Sequence, residues 1–144
     1  MAAMAARVPR LLRACLWVLG AALLIEGGAM LALGWLPTDL LGTAMSLPEP
    51  DPLHNGIHVL WGGGILCLLA LGVDGIGTSL IALCFGVFYV TLAFLGVLVH
   101  HPFGLLLGTG ENIFHFIVGP LALVLGAASL LGRPARRAAA KASA

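Results

Sequence analysis

Four long apolar runs, parted by short polar or glycine-rich breaks, organise this chain: roughly 11–36, 52–71, 75–99 and 111–131. None alternates with the period of two that a barrel strand needs. Each has about the 20 residues that a helix requires to cross a hydrocarbon core about 30 Å thick. In lipid every backbone amide must be bonded internally, so such runs are helices. The pattern predicts an all-α, integral membrane four-helix bundle, a single domain over 1–144 with basic tails at 1–10 and 132–144. It leaves no room for a soluble domain.

Two of the runs open alike. Asn55-Gly56-Ile57-His58-Val59-Leu60-Trp61-Gly62 begins the second, and Asn112-Ile113-Phe114-His115-Phe116-Ile117-Val118-Gly119 begins the fourth, 57 positions later. Both read N-x-x-H-x-x-x-G. Asn and His at i and i+3, and His and Gly at i and i+4, share one helix face. Each copy makes a polar strip near the start of its helix, with a glycine that lets a neighbour approach. The second and fourth helices run in the same direction, so the strips lie at similar depth. The chain thus reads as two repeated helix hairpins about an axis along the membrane normal. The first and third runs, ending in Leu31-Ala32-Leu33-Gly34 and Leu92-Ala93-Phe94-Leu95-Gly96, support the repeat more weakly. Asp51 and Pro52 suit the N-cap and first position of the second helix. Thr109 is expected to cap the fourth, with Glu111 near the positive end of its dipole.

Charge adds the topology. Of all residues 60% are hydrophobic and 9% charged, and the seven basic residues lie at the two ends, Arg7, Arg10 and Arg13 against Arg133, Arg136, Arg137 and Lys141. The positive-inside rule puts both termini in the cytoplasm, in agreement with an even number of spans. Asp39, Glu49, Asp51 and Glu111 then fall in or beside external connections, and the Gly72–Gly75 turn is cytoplasmic. A net charge of +1 with basic tails favours anionic lipid headgroups over nucleic acid. The first run is too long for a secretion signal and is read as a retained helix, with Trp17 and Trp35 near its opposite interfaces. Cys15, Cys67 and Cys84 form no C-x-x-C pair and are expected to be small buried hydrophobes.

Glu26 is the one acidic residue inside the first run. A carboxylate at bilayer depth costs at least about 2.5 kcal/mol, so it should face the bundle and be paired or protonated. Contact with a histidine is plausible on depth. Three roles are open for the polar cluster Glu26, Asn55, His58, Asn112 and His115. In the first, a scaffold or accessory subunit, Asn55, His58, Asn112 and His115 hydrogen-bond across the pseudo-twofold and lock the hairpins together. In the second, His58 and His115 ligate a cofactor (haem, chlorophyll or a metal), with help from His54, His100 and His101. In the third, Glu26 and the histidines carry protons for coupled transport. The chain contains no catalytic motif, and an enzyme is not expected.

Other features read as packing. Gly62-Gly63-Gly64, Gly28-x-x-x-Ala32, Ala82-x-x-x-Gly86 and Ala122-x-x-x-Gly126 are small-residue faces that permit close approach. The 100–110 connection is apolar enough to lie re-entrant or flat on the interface. Pro120 is expected to kink the fourth helix just below its histidine.

Pro52-Leu53-His54-Asn55-Gly56-Ile57-His58, Phe85-Gly86-Val87-Phe88-Tyr89, Glu111-Asn112-Ile113-Phe114-His115 and Leu33-Gly34-Trp35-Leu36-Pro37 together resemble the bacterial "domain of unknown function 4383" membrane family. The likeness runs from about Leu11 to Leu131. It implies a small four-span protein of the bacterial cytoplasmic (inner) membrane with paired N-x-x-H segments, and it brings no catalytic residues. Glu26 lies outside that pattern. Beyond the lipid bilayer, the partners it leaves open are a larger membrane complex or a homo-oligomer.

Overall fold

A computed structural model describes residues 2–34, 51–99 and 101–134. Trp35, Asp39, Glu49, His100, Arg136, Arg137 and Lys141 lie outside the described residues. The four expected helices are present: α1 (Ala2–Leu33), α2 (Pro52–Ala70), α3 (Gly75–Val99) and α4 (Thr109–Leu131), with a 3-10 turn at Pro102–Gly104. Each is long and apolar enough to cross a membrane. The protein is a multi-pass membrane protein built as a helical bundle. α1 starts earlier and ends sooner than the hydropathy pattern suggests, because the basic N-terminal segment continues the helix.

The helices pair as two antiparallel hairpins, α1 with α2 and α3 with α4. Both pairs cross on glycine. A methyl group on Gly62 would come within 2.5 Å of the Leu24 nitrogen and 2.7 Å of the Gly20 oxygen. One on Gly119 would come within 2.9 Å of the Val90 nitrogen and 3.3 Å of the Gly86 oxygen. Backbones at this separation gain dispersion contacts that larger side chains would forbid, and such packing drives helix association in lipid.

The buried stripes of the two hairpins match in register. In α2 the stripe is His58, Gly62, Ile65 and Leu69; in α4 it is His115, Gly119, Ala122 and Gly126. In α1 it is Leu12, Leu16, Gly20, Leu23 and Gly27; in α3 it is Thr78, Ala82, Gly86, Tyr89 and Ala93. The small-residue face expected at Gly28 is displaced by one residue. Gly27 packs against the Asn55 oxygen and the His58 Cβ, while Gly28 faces open space, since one residue is about 100° of helix rotation.

The hairpins join through a tight turn. Gly72 takes φ +80°, which costs a residue without a Cβ little. Its N–H donates to the Leu69 oxygen (3.2 Å) and that of Val73 to the Leu68 oxygen (3.2 Å), the Schellman arrangement that satisfies the last carbonyls of a helix. Arg13 reinforces it from α1, donating to the oxygens of Leu69 (2.7 Å) and Val73 (3.0 Å). Asp74 then caps α3, accepting from the Gly77 amide at 2.8 Å.

At the opposite end the connection between α3 and α4 folds inward, the re-entrant of the two arrangements its apolar sequence allows. Leu105 and Leu107 are buried against Leu92, Ile57 and Phe88, while the large apolar side chains of Phe103 and Leu106 point outward. The expected cap at Thr109 is not made: Gly108 occupies the N-cap and Thr109 is already helical. Pro120 sits inside a continuous α4 on an exposed face. The cysteines also differ from expectation. Cys67 and Cys84 are exposed and Cys15 half-buried, all unpaired. In lipid an exposed thiol meets hydrocarbon, so burial is not required of so apolar a side chain.

Candidate metal centre

The site forms where α2 and α4 begin. Asp51 fixes the first turn of α2: one carboxylate oxygen accepts from the amides of Leu53 and His54, both at 3.0 Å, and the other accepts from the Leu106 amide at 2.8 Å. The same side chain therefore caps the helix and holds the folded connection over it. His54 and His58, one helical turn apart, then point to the same side. Across from them His115 projects from the second turn of α4. All three are buried, His115 completely.

The rings contact one another in edge geometry, His54 to His58 at 4.5 Å between centroids and His54 to His115 at 5.7 Å. One nitrogen from each histidine lies within 4.8 Å of the other two. His54 Nε2, His58 Nε2 and both nitrogens of His115 are buried without a hydrogen-bond partner. Buried polar atoms are nearly always bonded, so four such nitrogens in one place single out this cluster as the candidate ligand site.

Glu26 reaches the cluster from α1, its Oε2 paired with His58 Nδ1. The depths agree because α1 ends at Leu33: Glu26 is about 10 Å from that end, and His58 is about 9 Å into α2. Glu26 does not retreat into the bundle, however. Its side chain is 53% exposed and borders a cavity of about 350 Å³ between α1, α2 and α4. Asp51 and Glu111 stand at the same cavity, as does Asn55. A carboxylate on one nitrogen of an imidazole fixes its tautomer and directs the other nitrogen towards a metal.

Two expected members are placed differently. Asn112 turns towards α3, where its side chain fills the space left by Gly96, and its Nδ2 donates to the Leu107 oxygen at 3.4 Å. Among the described residues no hydrogen bond joins any two of Asn55, His58, Asn112 and His115. His101 is exposed near the 3-10 turn and is not part of the cluster. Conversely, His54, expected only in a supporting role, is central to the cluster, and its i, i+4 spacing to His58 is a readable signal. Tyr89 was not anticipated. It stacks on Phe85 at 4.1 Å, meets His115 edge-on at 4.9 Å and closes the cluster from α3.

No family model, curated protein or solved structure matches the chain. The chemistry must be read from the side chains themselves.

Three imidazoles suit zinc, copper, nickel, cobalt or iron. A shared tetrahedral ion would hold the nitrogens about 3.4 Å apart, against a spacing of up to 4.8 Å here. Haem or chlorophyll fits less well. His54 contacts both His58 and His115, so it occupies the slot that a macrocycle would need.

Proposed function

We propose that this is a small multi-pass membrane protein that ligates a divalent transition-metal ion through His54, His58 and His115, with Glu26 orienting His58. The observation that carries it is the convergence of three buried histidines with unpartnered nitrogens. The histidines bond neither one another nor the asparagines, which favours ligation over a hydrogen-bonded scaffold. An accessory role in a larger membrane complex is compatible with it.

The remaining parts of the proposal come from sequence. The basic ends support cytoplasmic termini, which puts the metal in the outer leaflet. The likeness to the "domain of unknown function 4383" family supports a bacterial cytoplasmic membrane, and the two matched stripes support an internal repeat.

The test is metal analysis of protein loaded with Zn²⁺ and freed of excess by gel filtration. Retention of stoichiometric zinc, lost in His54→Ala, His58→Ala and His115→Ala alike, is the expected result. Protein that elutes metal-free, or variants that retain as much as the parent, would sink the proposal.

A further inference from the structure

The cavity of about 350 Å³ is lined both by the three histidines and by Leu106, Gly110 and Glu111, at the end of the bundle where α4 begins. Three carboxylates border it, Glu26, Asp51 and Glu111, and among the described residues that line it there is no lysine or arginine. Clefts walled by one sign of charge in a low-dielectric surround concentrate counter-ions and speed their arrival. The charge therefore selects a cation. Acidic side chains alone would make only a solvated rim, but the same wall carries His54 and His115, 6% and 0% exposed, with nitrogens that lack a partner. Those lone pairs give an arriving cation a destination.

The three carboxylates are not equivalent. Asp51 is engaged through both oxygens, with the amides of Leu53, His54 and Leu106. Glu26 is held on His58. Glu111 makes no hydrogen bond or ion pair with another described residue. It lies in the first turn of α4, half-buried, with Oε2 over Gly108, where a Cβ would come within 2.8 Å of it. Its place near the positive end of the helix dipole stabilises α4 modestly, which does not account for its bordering the cavity. His115 follows at i+4, on the same helix face and about 6 Å deeper. The ligand atoms that converge are those of the histidines alone, so Glu111 stands outside the coordination set. The cavity also exceeds what a bare ion needs. About six waters around a divalent ion occupy about 180 Å³, so the ion can enter hydrated and shed its shell at the imidazoles.

We propose that Glu111 is the capture residue of the metal site: a hydrated divalent cation enters where α2 and α4 begin, is held first at the Glu111 carboxylate, and passes one helical turn inward to His54, His58 and His115. This rests on the metal reading above. The ion is then exchangeable, taken from and returned to the water on one side of the membrane, the side opposite the end of α4.

Stopped-flow uptake of Co²⁺ in one nonionic detergent tests it, because the visible spectrum of that ion reports its coordination. At low ionic strength Glu111→Gln should slow association by about tenfold, and high salt should remove most of the difference. Dissociation should slow in proportion, since a group on the path lowers the barrier in both directions, so affinity changes less than either rate. Glu111→Asp, which keeps the charge, should retain most of the parent rate. A purely helix-stabilising role would shift the melting temperature and leave these rates alone. Equal association rates in parent and Glu111→Gln overturn the proposal. So does faster dissociation with association unchanged, which would make Glu111 a ligand instead. In liposomes, membrane-impermeant EDTA should bleach the Co²⁺ only of molecules whose C-terminal tag is shielded from external protease. Bleaching in both orientations, or only in the other, overturns the side of entry. A parent protein that takes up no Co²⁺ removes the metal reading itself, whereas uptake indifferent to Glu111 removes only the capture step.

Discussion

The two hairpins share a frame and differ in what is mounted on it. Their glycine crossings correspond residue for residue: Gly62 lies against Gly20 and Leu24, and Gly119 against Gly86 and Val90. Around that common crossing, the place of Glu26 in the first hairpin is taken by Leu92 in the second. That of His54 is taken by Glu111, and that of Asp51 by Gly108. The reverse exchange puts Tyr89 where the first hairpin has Leu23. The frame therefore needs glycines and a histidine at each crossing. The carboxylate-backed pair of histidines belongs to the first hairpin, and the aromatic wall that closes the site belongs to the second.

The crossings are where the comparison can be broken most severely. Gly62→Ala should cost about 3 kcal/mol, at the upper end for overpacking, because the added methyl meets backbone that cannot step aside. Gly119→Ala should cost less, about 1–2 kcal/mol, since the contacts there are a few tenths of an ångström longer. Unfolding titrations in mixed micelles would read both, and equal losses would contradict the asymmetry. Next comes Glu26→Leu, which makes the first hairpin resemble the second. Zinc affinity should fall about 10–100-fold while the fold persists, as measured by competition with a chelating dye. An unchanged affinity would show that Glu26 does not orient His58.

A smaller effect is expected at Asp51. Removing its carboxylate in Asp51→Ala should cost about 1–2 kcal/mol, and the Leu106 amide should exchange hydrogen faster. The slightest is Gly72→Ala, at about 1 kcal/mol for a Cβ in the left-handed region. Thermal melts should place it below the other variants; a larger loss would mean that the turn does more than connect.

Much of this arrangement is legible in the sequence. Four helices, the polar strip on α2, Asp51 at its cap and a Glu26–histidine contact all follow from run length, spacing and capping chemistry. Rotation about each helix axis does not. In water a helix advertises its inner face by hydrophobicity, but here the lipid-facing and buried sides are both apolar, so Cys67 and Leu69 look equally fit for the core. For that reason Cys67 and Cys84 are exposed against expectation, Gly27 replaces Gly28 at the contact, and Asn112 faces α3. His54 was recoverable from its spacing to His58. Tyr89 was not, because its partners come from two other helices.

The glycine crossings also bear on how the chain is made. From Gly20 to Gly62 the first hairpin spans 42 positions, and from Gly86 to Gly119 the second spans 33 (62 − 20 and 119 − 86). Each closes on itself without a residue from the other, and Arg13 secures the first at Leu69 and Val73 before α3 begins. The first pair can thus be complete in the membrane while the second is still on the ribosome. Halves expressed as separate chains, divided after Gly72, should find each other and rebuild the histidine site between them.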